Sequence, residues 1–269
     1  MNESLRKRVL TAVPAAVVLL LVLLTLPPLA TVLVLTAFVL LGAWEWSAFV
    51  RLPTTALRAA YVALVAVLMF AAWSVAVNAP LLWLIMGGAL LWWCIALLWV
   101  MLAPRRVAPW SAGLAGLLVL VPAWLALVRL RRLPQGGEWV LFAFLLVWAT
   151  DVGGYFCGRR FGRLPLAPQV SPAKTWEGVL GGVVLGGLVS WLGALWFHLP
   201  TLTFLLLGLA AVGFSIVGDL TESLLKRYAG VKDSGTVFPG HGGVMDRIDS
   251  LTAAGPVLFL GLMFLAVAR

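Results

Sequence analysis

Apolar runs of about twenty residues recur along the whole of this chain, broken only by short polar or proline-containing stretches. A run of that length matches the ~20 residues an α-helix needs to cross a hydrocarbon layer of ~30 Å. Inside lipid the backbone must satisfy its own hydrogen bonds, and a helix does so within one segment. Candidate spans fall near 9–26, 29–49, 59–77, 81–102, 110–128, 139–158, 178–197, 203–225 and 251–268. The expected fold class is an all-α polytopic membrane protein of about nine transmembrane helices.

Composition excludes the main alternatives. Only 11% of the 269 residues are charged and 63% are apolar, against roughly a quarter charged in soluble domains. The first run follows MNESLRKR, has no small-residue cleavage site and is succeeded by more apolar runs, so it reads as a retained helix rather than a signal peptide. Cys94 and Cys157 lie in or beside apolar segments, which argues against a disulfide framework or a thiolate metal site. The net charge of +9 is spread over helix ends and short loops. It suits anionic lipid head groups and phosphorylated substrates, and no nucleic-acid partner is expected.

With Arg6, Lys7 and Arg8 placed in the cytoplasm, the positive-inside rule puts Arg51, Arg105, Arg159, Lys174, Lys226 and Lys232 there too. Arg129, Arg131 and Arg132 break the pattern. Seven of the ten acidic residues lie between Asp151 and Asp249, so residues 1–137 read as scaffold helices and 138–269 as the catalytic region. Its active site is expected at the cytoplasmic ends of the C-terminal helices.

Asp219 falls within the hydrocarbon-facing part of the eighth span, where an unpaired carboxylate costs several kcal/mol. A cation or a water-filled cavity must compensate it. Glu222 and Lys226 follow on the same helical face, as carboxylates with a phosphate-binding lysine or as a plain i,i+4 ion pair. The segment KRYAGVKDSGTVFPGHGGVMDRID offers Lys226, Arg227, Lys232 and Arg247 for anions and Gly235, Gly242 and Gly243 for close backbone approach. Asp246 and Asp249, three apart, can face one divalent cation or simply decorate a helix N-terminus. His241 is a loop histidine or a proton or phosphate contact.

Upstream, SPAKTWEG reads as a helix start with Ser171 as N-cap, Pro172 at the first position and Lys174 in the first turn. A lysine beside the positive helix end makes sense when an anion binds there. Asp151 is a further candidate acid, as a site residue or as the buried partner of Arg159. Gly178, Gly182 and Gly186 recur every four residues and read as a helix-packing stripe. Glu45, between Trp44 and Trp46, is open to more than one reading.

The stretch SLLKRYAGVKDSGTVFPGHGGVMDRID, residues 223–249, resembles position by position the signature of phosphatidate cytidylyltransferases. DVGGYFCGRRFG from Asp151 and SPAKTWEG from Ser171 are similar to segments of the same family, so the resemblance covers roughly the last 120 residues. It implies a multi-pass enzyme of the bacterial inner (plasma) membrane that makes CDP-diacylglycerol and pyrophosphate from CTP and phosphatidic acid. It further implies magnesium, with room for a second cation, held by Asp219, Asp246 and Asp249. Lys174, Lys226, Arg227, Lys232 and Arg247 would contact phosphates. Membrane lipids are expected neighbours, and close glycine packing admits a homodimer. The rivals are a CTP-dependent lipid kinase and an ion-coupled transporter.

Overall fold

The computed structural model describes residues 17–237 and 242–265. It is almost entirely helical. A helix α1 covers 17–25 of the first apolar run. It is followed by α2 (Pro28–Phe49), α3 (Thr55–Val75), α4 (Ala79–Leu102), α5 (Pro109–Arg131), α6 (Gly136–Phe161), α7 (Trp176–Trp196), α8 (Thr201–Ala229) and α9 (Met245–Phe264). The eight from α2 to α9 are long and apolar enough to cross a membrane. Eight of the nine expected spans are therefore present, each within a few residues of where hydropathy placed it, and the described part of the first, residues 17–25, is helical. The largest shift is at α9, which starts at Met245 because its polar first turn is continuous with the apolar run.

Helices α5 and α9 are the most enclosed and form the centre of the bundle, while α3 and α4 present most of their surface outward. One continuous apolar core runs from α2 to α9, built around Trp46, Trp93, Leu120, Phe204 and Phe259. The division near residue 137 falls in the first turn of α6, and no break in packing accompanies it, since α9 packs on α4 and α5 as well as on α8.

Two of the three arginines that break the charge rule are held locally. Arg131 donates to the Leu26 carbonyl at 2.9 Å, and Arg132 lies over the Trp73 ring at 3.7 Å. Their charges serve the ends of neighbouring helices, an arrangement that loop charge counting does not include.

Two short antiparallel strands, β1 (Pro165–Ala167) and β2 (Ser171–Thr175), join α6 to α7. The expected helix start at Ser171 is thus corrected. Thr175 is the N-cap, its hydroxyl accepting from Gly178 N at 3.2 Å, and Ser171, Pro172 and Lys174 lie on the strand before it. Two N-cap signals compete within five residues, and Thr175 wins because Ser171 and Thr175 both pair with β1.

Helices α6 and α7 approach through glycine. A Cβ at Gly181 would overlap the Gly153 carbonyl oxygen and the Cys157 side chain, and one at Gly186 would press on Val212 of α8. The four-residue glycine period is a packing stripe in this structure. Gly181→Ala is expected to cost about 1–3 kcal/mol through overpacking. It should appear as a lower thermal midpoint of the detergent-solubilised protein, whereas Gly213→Ala, in open space, should leave the midpoint unchanged.

Candidate active site

Helix α8 is 29 residues long, or about 43 Å at 1.5 Å per residue, so it outruns a hydrocarbon layer of ~30 Å. Its polar face carries Asp219, Glu222 and Lys226 in order toward the C-terminus, where Gly230 ends the helix in the left-handed conformation at φ 76°. The chain then returns through the segment of the signature to α9, which brings Asp246 and Asp249 beside that face.

Asp219 lies on the wall of a cavity of about 550 Å³ bounded by α6, α7, β2 and α8. Asp151, Ser171, Lys174, Thr175 and Arg159 line the same space, and Gly154, Gly158, Gly178 and Gly182 give it room. The volume lies in the range of small-molecule sites. Lys174 reaches across from β2 to form an ion pair with Asp219. The side chains keep 25% and 28% of their surface exposed, while the Lys174 Nζ itself is buried, so the pair meets the cavity chiefly through Asp219.

Deeper in the protein, Lys226 lies 2.7 Å from both Glu222 and Asp246. Asp246 is fully engaged. Its Oδ1 takes Lys226, and its Oδ2 accepts from Ser234 N at 2.9 Å and Gly243 N at 2.8 Å, with Ser234 Oγ, whose one proton is shared with Glu45 Oε2, also at 2.9 Å. Gly242, at φ 82°, is placed so closely against the same carboxylate that a Cβ there would overlap Oδ2. Asp249 bridges the two clusters, within electrostatic reach of Asp219, Glu222 and Asp151.

The Cytidylyltransferase family model matches residues 6–265. The chain belongs to this family. It is 44% identical to the phosphatidate cytidylyltransferase of Pseudomonas aeruginosa over 238 residues, 86% of each chain. The Haemophilus influenzae phosphatidate cytidylyltransferase is 39% identical over 279 residues, 94% of this chain and 96% of its own. That of Bacillus subtilis is 41% identical over 135 residues, about half of each chain.

Within this cytidylyltransferase the residues singled out by sequence fall into two groups. Asp151, Ser171, Lys174 and Asp219 share the cavity. Lys226 and Asp246 form the inner ion-paired group; Arg247, next to Asp246 on α9 and within electrostatic reach of Asp151, and Lys232 are exposed. Arg227 does not face either group; its Nε donates to the Val170 carbonyl at 3.4 Å and ties α8 to the β1–β2 turn. Gly243 meets carboxylate rather than open space, because a Cβ there would overlap Glu45. His241 lies outside the described residues. Glu45 is the residue whose part the sequence did not show: it comes from α2 and meets Ser234, Val244 and Met245.

Of the expected magnesium set, Asp219 lies on the cavity wall, Asp249 is within electrostatic reach of it, and Asp246 sits in the inner ion-paired group. Asp246 has both oxygens occupied by protein donors and acts here on the loop. The remaining carboxylates do suit a hard cation. Glu222 is 1% exposed, has Lys226 at Oε2, and no donor among the described residues reaches Oε1. Asp249 comes within side-chain reach of Glu222, and two carboxyl groups that close are held by a shared proton or a cation. Asp151, Asp219, Glu222 and Asp249 gather on this face with Lys174, Lys226, Arg159 and Arg247 around them, and a divalent cation would stabilise such a carboxylate group. Among the described residues no three acids converge as a complete metal cage. Magnesium needs only one or two carboxylates when phosphate oxygens supply the rest.

Proposed function

We propose that this membrane protein joins CTP to phosphatidic acid, forming CDP-diacylglycerol and pyrophosphate, at the face where α8, α9 and β2 meet. The observation that carries this reading is the setting of Asp219, on a cavity wall, ion-paired to Lys174 and electrostatically joined to Asp249 and Asp151. The likeness to phosphatidate cytidylyltransferases over most of the chain supports the substrate pair.

A phosphate oxygen of the lipid attacks the α-phosphorus of CTP, and the bond to the bridging oxygen of pyrophosphate breaks. The lipid phosphate is already anionic, so no protein nucleophile is required. Lys174 and Lys226 hold positive charge at the two clusters and can exchange their carboxylates for phosphate oxygens. Arg247 and Lys232 supply further cations at the exposed side. Magnesium, held by Asp219 and Asp249 with Glu222 or Asp151, would supply Lewis-acid stabilisation of the charge that develops on the phosphates.

The basic residues at the ends of α2, α4, α6 and α8 share the site's face of the bundle, so the positive-inside rule orients the site to the cytoplasm of the bacterial inner membrane. CTP arrives from water, and the diacyl substrate from the surrounding lipid.

Labelled CTP decides between this reaction and lipid phosphorylation. The detergent-purified protein should move α-label into lipid with release of pyrophosphate. Transfer of γ-label into lipid without pyrophosphate would replace the proposal with a CTP-dependent lipid kinase. Turnover in detergent, where no gradient exists, separates either enzyme from an ion-coupled transporter.

A further inference from the structure

Glu45 belongs to neither substrate cavity nor ion-paired cluster, yet it holds the segment that makes one of them. It lies on α2, is 5% exposed, and accepts from Ser234 Oγ at 2.9 Å, Val244 N at 2.9 Å and Met245 N at 2.8 Å. Helix α9 has no side-chain cap of its own at Val244. Glu45 therefore caps it from another helix, with a negative charge at the positive helix end. A Cβ at Gly235 or Gly243 would overlap the Glu45 oxygens, so the backbone on both sides of the turn is shaped to the carboxylate. The same Ser234 hydroxyl lies 2.9 Å from Asp246 Oδ2, and Asp246 Oδ1 lies 2.7 Å from Lys226. Glu45, Ser234, Asp246 and Lys226 form one unbroken polar chain from the N-terminal half into the site. Just past the same end of α2, Arg51 donates to the Tyr228 carbonyl and lies over its ring at 4.2 Å, so this end of α2 also holds the C-terminal end of α8.

We propose that Glu45 is a positioning residue for nucleotide binding, setting Ser234 and the Lys226–Asp246 pair for the phosphates of CTP without itself touching substrate. This rests on the cytidylyltransferase reading. A carboxylate is required because its backbone partners are donors on both oxygens: Val244 N meets Oε1 and Met245 N meets Oε2. A glutamine in its place would turn an NH2 toward at least one backbone N–H.

The test is Glu45→Gln, assayed by equilibrium binding of labelled CTP and by the KM for each substrate. Loss of a buried charged acceptor predicts a Kd and KM for CTP raised about 10- to 100-fold. On the same reading the lipid phosphate occupies the Asp219–Lys174 cavity, which Glu45 does not contact, so the KM for phosphatidic acid should stay within about twofold. Unchanged CTP affinity would overturn the inference. So would an equal rise for both substrates, or lower turnover with both KM values intact, since these mark a general structural role. Should Glu45→Gln fail to fold, Ser234→Ala and Gly243→Ala decide on the same readouts, because each disturbs the contact from the loop side. Wild-type protein that binds CTP but makes no CDP-lipid would instead overturn the functional reading, and the CTP Kd of the variants would still decide the role of Glu45.

Discussion

Asp219→Asn is expected to lower turnover by about 10³-fold while the protein remains folded and inserted. The change keeps the shape of the side chain and removes one charge from the cavity wall. Losing a preorganised electrostatic contact to reacting phosphates costs about 10²–10³ in rate, and loss of a cation ligand adds to it. Stability responds in two opposing ways. Lys174 loses its ion-pair partner, which is destabilising, but Asp249 and Asp151 lose a like-charged neighbour, which is stabilising. Both residues of the pair are partly exposed, so the pair itself contributes little. The thermal midpoint should therefore move by no more than about 4 °C, the shift that ~1 kcal/mol gives in a domain of this size. Residual turnover should need more magnesium than the wild type. Retention of a tenth or more of the activity at ordinary magnesium would remove Asp219 from the site.

How far such residues could be found in the sequence depended on whether their meaning was local. The spans were legible because lipid sets one length for a crossing helix, and α2 to α9 follow it. Asp219 stood out because a carboxylate in an apolar span needs compensation whatever its partner. The strand at Ser171–Thr175 was hidden by competing cap signals, and three prolines at 165, 168 and 172 disguise a hairpin as loop. Glu45 could not be assigned at all. Its partners lie 189 to 200 residues away, and no periodicity or motif links α2 to the start of α9. The glycines at 235, 242 and 243 were visible as tight positions, but what fills the space beside them, two protein carboxylates, is a tertiary fact.

Asp246→Asn is expected to lower turnover by about 10²- to 10³-fold as well, with a different signature from Asp219→Asn. Asp246 is 7% exposed at its side chain, with Lys226 on one oxygen and Ser234 and Gly243 on the other. An asparagine cannot accept on both sides. With its oxygen toward Ser234 and Gly243, its NH2 faces the Lys226 ammonium; reversed, the NH2 faces two backbone N–H groups. Either orientation leaves a buried donor unmet, at a cost of about 1–3 kcal/mol. Lys226 keeps Glu222, so the larger penalty of a stranded buried charge is avoided. A lower thermal midpoint should thus accompany the lost activity, with a raised KM for CTP and a magnesium requirement like that of the wild type. If Asp246 instead holds the cation directly, its residual activity will need more magnesium, as for Asp219→Asn. The double variant with Glu45→Gln sharpens the distinction. Both single changes release the same Ser234 contact, so their effects on CTP affinity should fall well short of additive. Glu45→Gln combined with Asp219→Asn should multiply, because those two residues share no partner.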